Sequence, residues 1–136
     1  MSATRALKVL VVDDSGATRQ MLQAAVEALA DERGERADVD TAASGLKALQ
    51  LLPGQNYDLI LTDINMPDVH GLELIRFVRQ QPQHKDTPIL VISTEGAEKD
   101  RQKALALGAS AYLVKPVEMA ALRKAVEGVW PAEKVR

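Results

Sequence analysis

Polar residues of a particular kind fall in four short segments of this chain. Asp13-Asp14 is an acidic pair, and Asp63 stands alone before Ile64, Asn65, Met66 and Pro67. Ser93-Thr94-Glu95 and Lys115-Pro116 complete the set. Three carboxylates brought together repel one another and need either a proton or a cation. The available ligands are all oxygens, which favours a hard ion, and magnesium is the natural candidate where phosphate is also bound. Three carboxylates and one lysine leave a charge of about −2, which one divalent cation cancels. In a site neutralised this way, Asp63 is the candidate nucleophile towards phosphorus. Ser93 can donate its hydroxyl to a phosphoryl oxygen, and Lys115 can place a point charge on another. Such catalysis is positioning and charge neutralisation. Each residue also has a bland reading: a helix cap for the pair, a turn for Asp63, a helix start for Ser93, a solvated surface for Lys115. What separates the readings is whether one fold brings all four segments together.

Each segment follows a short apolar run. Leu7 to Val12, Leu59 to Leu61, Ile89 to Ile92 and Ala111 to Val114 read as strands buried on both faces. Ala37 to Ala43 alternates Val39 and Thr41 with Asp38 and Asp40, as an edge strand with one wet face does. Between the runs lie helical stripes: Met21, Leu22, Ala25, Val26 and Leu29, then Leu46, Leu49 and Leu52 up to Pro53-Gly54. Leu72, Ile75 and Val78 make a third, closed by Pro82, and Leu122, Ala125, Val126 and Val129 make the last. The most polar stretch, Ala97 to Leu107, ends at Gly108, a good C-terminal cap. Strands alternating with helices predict a parallel sheet covered on both faces, where ligands bind beyond the carboxyl ends of the strands. All four polar segments lie there. If the first and third strands are neighbours, about 4.8 Å apart, Asp13, Asp14 and Asp63 are crowded together.

Bulk properties narrow the classes. The 136 residues suit one ordinary domain, and the net charge of −2 offers no basic field for nucleic acid. The chain has no cysteine, which excludes disulfides and thiolate chemistry, and only two histidines, His70 and His84, which read as loop residues rather than ligands. Lys99, Asp100, Arg101 and Lys103 read as a solvated helix face, and Trp130 as a packing anchor. There is no signal peptide and no apolar run near the roughly 20 residues that cross a bilayer, so a cytoplasmic location without membrane insertion is expected.

With these residues in view, the chain resembles the receiver domain of two-component response regulators, in particular the stand-alone CheY-like members. The resemblance runs from about Leu7 to Val129. It rests on Val-Val-Asp-Asp at 11–14, Thr-Asp-Ile-Asn-Met-Pro at 62–67, Gly71, Ile-Ser-Thr-Glu at 92–95 and Gly-Ala-Ser-Ala-Tyr-Leu-Val-Lys-Pro at 108–116. It implies a flavodoxin-like (βα)5 three-layer α/β sandwich, with a five-stranded parallel sheet in the order 2-1-3-4-5. It implies phosphorylation of Asp63 by a CheA-like histidine kinase, with magnesium held by Asp14, Asp63 and the backbone carbonyl of Asn65, and by Asp13 through a water. Ser93 matches the switch hydroxyl, Tyr112 the switch aromatic, and Lys115 the family lysine, ahead of a cis bond to Pro116. Asn65 and Glu95 match the pair that tunes loss of the phosphoryl group, here in a fast-resetting combination. Activation in the family is a population shift of the face made by the fourth helix, fifth strand and fifth helix. Ile64 departs from the chemotaxis prototype, which has an aromatic beside the acceptor.

The expected domain spans residues 5–130, with about seven residues after the last predicted helix and therefore no output domain. Output then passes through a protein partner, such as a motor switch or a phosphorelay protein, with a monomer as the expected state and chemotaxis or motility as the expected setting. A shuttle or phosphate sink, and a pseudo-receiver that never takes phosphate, are the alternatives within the fold. A haloacid-dehalogenase-like aspartyl phosphatase needs a second acid at position 65, where Asn65 cannot move a proton. A flavodoxin-like redox carrier would meet repulsion between its flavin phosphate and Asp13-Asp14.

Overall fold

The β-branched run at the N-terminus becomes the centre of the sheet. In a computed structural model, which describes residues 6–94 and 98–131, β1 (Ala6–Val12) pairs in parallel with both β2 (Arg36–Ala42) and β3 (Leu59–Thr62). Beyond β3 come β4 (Ile89–Ser93) and β5 (Ala111–Val114), giving the order β2-β1-β3-β4-β5. This is the flavodoxin-like order implied by the sequence resemblance.

Period-two alternation divides the apolar residues between two cores. Leu7, Val9 and Val11 of β1, with Leu59, Leu61, Leu90 and Ile92, face α1 (Gly16–Glu32) and α5 (Met119–Gly128), which contribute Leu22, Val26, Leu29, Leu122 and Val126. Leu10, Val12, Ile60, Ile89 and Val91 face the other way. They meet Ala48 of α2 (Gly45–Leu51), Leu74, Ile75 and Val78 of α3 (Gly71–Gln80), and Ala104 of α4 (Glu98–Ala106). Each buried Leu, Ile or Val contributes about 1.5–3 kcal/mol of apolar transfer.

Helix starts follow from local chemistry. Ser15 Oγ accepts the Thr18 N–H at 3.2 Å, and Ser44 Oγ accepts the Lys47 N–H at 3.1 Å. Gly108 takes φ +113°, the left-handed geometry expected of a helix stop.

Several expectations are corrected or sharpened. β5 is not buried on both faces: it pairs only with β4, three of its residues are half-buried, and Val114 is 45% exposed. A run of four residues does not reveal whether a strand is central or marginal. Leu46 is not part of a buried stripe, being 54% exposed, because Ala48 and Leu52 take the inward positions of α2 and of the 3-10 turn Leu52–Gly54. His84 lies in the connection between α3 and β4, as a loop residue does, but it has a structural task there. It is fully buried in the 3-10 turn Pro82–His84, where its Nε2 accepts the Tyr57 N–H at 3.1 Å. Thr41 on β2 is exposed, whereas Ala37 and Val39 pack inwards. Lys99, Arg101 and Lys103 are exposed on α4 as expected, with Asp100 half-buried; Ala97 lies outside the described residues. Trp130 does anchor: its Nε1 donates to Glu35 at 3.2 Å, and the Arg33 guanidinium lies 5.1 Å from its ring centre.

Candidate functional site

Sheet register assembles the site. Val12 pairs with Thr62, so the next residues, Asp13 and Asp63, fall level. The ladder continues one step further on each strand: Asp13 N–H donates to Ala42 at 3.1 Å, and Asp63 N–H donates to Val12 at 3.0 Å. On the far side Ser93 pairs with Val114, and Lys115 N–H donates to the Ser93 carbonyl at 2.8 Å. The backbone hydrogen bonds that end the strands therefore fix all four segments.

The carboxylates meet as expected. Asp13, Asp14 and Asp63 each offer an oxygen within 4.8 Å of the other two. Asp13 and Asp63 are buried and Asp14 is exposed, so the cluster opens to solvent on one side. Lys115 Nζ reaches Asp13 Oδ2 at 2.8 Å and Asp63 Oδ2 at 3.0 Å. Burial pulls the Lys115 ammonium down, but the hydrogen bonds to Asp13 and Asp63 outweigh it and hold the group above its ordinary value. The lysine stays charged and neutralises part of the cluster. A donor set of oxygens alone, with an open exposed member, fits a hard divalent ion that keeps several of its waters.

Remaining oxygens are also occupied. Asp13 Oδ1 accepts the Ser15 N–H at 2.8 Å, and Asp63 Oδ1 accepts the Asn65 N–H at 3.0 Å. Asn65 reaches across the mouth of the site, with Nδ2 3.4 Å from Ser93 Oγ and 3.5 Å from Thr94 Oγ1. Ser93 is fully buried, and Tyr112 is half-buried on the neighbouring strand β5, where it pairs with Val91. The Lys115-Pro116 bond is cis, as expected. Glu95 lies outside the described residues. Ile64, in place of an aromatic, is buried in the core beside α3.

Gly71 belongs to the site by what it lacks. A Cβ there would meet the Asp63 carbonyl and the Ile64 Cα, both backbone, well inside 3.0 Å. The start of α3 thus packs directly under the acceptor, and Gly71 N–H donates to the Ile64 carbonyl at 2.8 Å. His70 caps α3, its Nδ1 accepting the Leu72 N–H at 3.2 Å.

Two residues were missed by sequence reasoning. Arg19 Nη1 donates to the Asp13 carbonyl at 2.8 Å; its place one turn into α1 gave a weak signal at best. Asp68 accepts from Gly45 and Leu46, more than 20 residues away in sequence, and no local pattern announces that contact.

Comparison with known proteins agrees with this geometry. The family model for the response regulator receiver domain matches residues 9–127. A chemotaxis protein CheY homolog of Campylobacter jejuni is 35% identical over 124 residues, covering 90% of this chain and 92% of that protein. The structure of the chemotaxis response regulator CheY4 of Vibrio cholerae superposes with a TM-score of 0.78 at 39% identity, covering 90% of this chain and 98% of that one. The receiver domain of the sensor histidine kinase PA1611 of Pseudomonas aeruginosa, solved with a magnesium ion in its active-site cleft, gives a TM-score of 0.76 at 26% identity, covering 93% and 98%.

Proposed function

The chain belongs to the response regulator receiver domain family, and from that premise we propose that Asp63 accepts a phosphoryl group from a phosphohistidine of a CheA-like histidine kinase. The observation that carries this reading is Lys115 Nζ held between Asp13 and Asp63 at 2.8 and 3.0 Å, with Asp14 alongside. A structural ion pair needs one carboxylate; a phosphoryl site needs a cluster and a mobile counter-charge.

Asp13, Asp14 and Asp63, with the backbone carbonyl of Asn65, would hold magnesium, as the receiver domain of PA1611 does in its cleft. The bound ion supplies neutralisation of the phosphoryl oxygens. An oxygen of Asp63 forms the new bond to phosphorus as the bond from phosphorus to the donor's imidazole nitrogen breaks, and that nitrogen recovers a proton from solvent. Lys115 then exchanges part of its hold on Asp63 for a phosphoryl oxygen. Ser93 rotates towards the phosphoryl group, leaving Asn65, and Tyr112 fills the space behind it. The face that changes carries α4, β5 and α5, where Val114 and Met119 are 45% and 54% exposed and offer apolar contact to a protein target. The relatives include chemotaxis proteins, and a motor switch or phosphorelay protein in the cytoplasm is the target this reading supplies. The domain works as a switch that assists its own phosphorylation and its own reset, with Asn65 and Glu95 favouring a short-lived phosphorylated state.

Incubation with acetyl phosphate and magnesium tests the reading by intact mass. The wild type gains one phosphoryl group and Asp63→Asn gains none; full labelling of Asp63→Asn overturns the assignment. A phosphoprotein that persists for many hours in magnesium at neutral pH overturns the fast reset.

A further inference from the structure

We propose that Asp68 is a positioning residue that pins the acceptor loop to the start of α2 and thereby sets how tightly the carboxylate cluster holds a divalent cation. The proposal rests on the reading of Asp63 given above.

Asp68 Oδ1 accepts the Gly45 N–H at 3.2 Å, and Oδ2 accepts the Leu46 N–H at 2.9 Å. The Leu46 N–H chiefly, against a smaller opposing effect of burial, holds the Asp68 carboxyl below the usual range, so it is anionic at neutral pH. Next to it, Val69 lies flat on Gly45: a Cβ on Gly45 would come within 2.5 Å of the Val69 Cβ. The loop that carries Asp63 and Asn65 is thus tied at Asp68 and Val69 to a turn in another part of the chain.

That same turn also braces Asp13. The Ala42 carbonyl accepts the Asp13 N–H at 3.1 Å, three residues before Gly45. One segment, 42–46, therefore sets the position of a metal-facing carboxylate on one side and of the acceptor loop on the other. Asn65 N–H is bonded to Asp63 Oδ1 at 3.0 Å, so slack in the loop moves the Asn65 carbonyl relative to the carboxylates. Magnesium demands near-ideal octahedral geometry, and such slack is costly to it.

The plain alternative is that Asp68 merely caps α2. Ser44 separates the two, because Ser44 Oγ caps the same helix through Lys47 N–H at 3.1 Å and makes no bond to the acceptor loop. The experiment compares wild type, Asp68→Ala, Asp68→Asn and Ser44→Ala by magnesium titration calorimetry, thermal unfolding without metal, and acetyl phosphate labelling against magnesium concentration. Loss of a supporting partner of a metal site weakens affinity by about tenfold. We expect Asp68→Ala to lose cation affinity by that order, Asp68→Asn to fall between it and wild type, and Ser44→Ala to bind the cation as wild type does while melting at a lower temperature. Labelling at saturating magnesium should recover in Asp68→Ala. Wild-type cation affinity in Asp68→Ala, or an equal loss in Ser44→Ala, overturns the proposal while wild-type labelling stands. A wild type that binds magnesium but does not label overturns the reading of Asp63 instead, and leaves the affinity comparison to decide the role of Asp68.

Discussion

Lys115 Nζ stands 3.0 Å from Asp63 Oδ2, and the same nitrogen also holds Asp13. Both carboxylates are almost entirely buried, so without this lysine two negative charges face each other with little exposure to bulk water. Removing one partner of a buried pair costs about 3–5 kcal/mol. Lys115→Ala should therefore unfold at lower urea concentration than wild type in the absence of divalent ions. Magnesium should then raise its melting temperature by more than it raises that of wild type, because the ion no longer competes with an ammonium. Equal rises in the two proteins, measured by scanning calorimetry, would show that lysine and cation do not share these oxygens.

Gly71 makes a prediction of a different kind. Added bulk meets backbone at Asp63 and Ile64, which no side-chain rotation relieves. Gly71→Ala should cost about 1–3 kcal/mol, the range for overpacking. It should also slow labelling of Asp63, since the acceptor's own peptide must move. Phosphorylation kinetics at a temperature where the variant is fully folded check the second effect separately from the first.

His84 couples stability to acid. Burial, and secondarily the Arg79 charge, lower its pKa below 6.5 in the folded protein. Its Nε2 accepts the Tyr57 N–H, and its Nδ1 lies 3.1 Å from Gln81 Oε1, so the fit requires the neutral ring with the proton on Nδ1. In the unfolded chain the ring charges as pH drops through about 6.5. Between that point and the lower folded value the unfolded state binds the extra proton, and stability falls with falling pH. The stabilising contribution is complete above pH 6.5 and is lost progressively below it, at up to about 1.4 kcal/mol per pH unit. His84→Gln should be less stable at pH 7.5 but should show a flatter decline between pH 7 and 5. An unchanged slope in urea titrations across that range would remove His84 from this role.

Leu46 and Leu52 are alike in composition and opposite in consequence. Leu46→Ala should leave stability within about 0.5 kcal/mol, as surface changes do. Leu52→Ala should cost about 2–5 kcal/mol, because Leu52 is fully enclosed in the core on the side of the sheet that α3 covers. Chemical denaturation of the two variants measures the difference.

That pair also marks how far the sequence could be read. Spacing of three placed Leu46, Leu49 and Leu52 on one face, but α2 is only seven residues long, and its inward positions go to Ala48 and Leu52. In so short a helix an alanine and a leucine one turn apart define the buried side as well as three leucines do. Strands were easier, because Val9 and Leu59 on one face and Leu10 and Ile60 on the other make β1 and β3 apolar on both sides, for a reason that only a central parallel strand supplies. β5 misled, since four apolar residues in a row look the same at an edge. The site itself was legible because its members sit at strand ends, and strand ends are visible where an apolar run stops at a polar residue. Asp68 and Arg19 were not, because each side chain acts on backbone, Asp68 on a distant segment and Arg19 on the strand end just before its own helix, and neither carries a pattern that names its target.

The position of β1 at the middle of the sheet has a consequence for the order in which the molecule can be made. Its two neighbours, β2 and β3, precede β4 and β5 in the chain, so three of the five strands are available to pair as soon as Thr62 has left the ribosome. Asp13 and Asp14 are then already in place, and Asp63 is the next residue to follow. Their counter-charge, Lys115, is made 52 residues after Asp63, at the end of β5. During that interval the nascent chain carries a concentrated negative centre without Lys115 to offset it, which is when a divalent ion from the surrounding water would relieve the most repulsion.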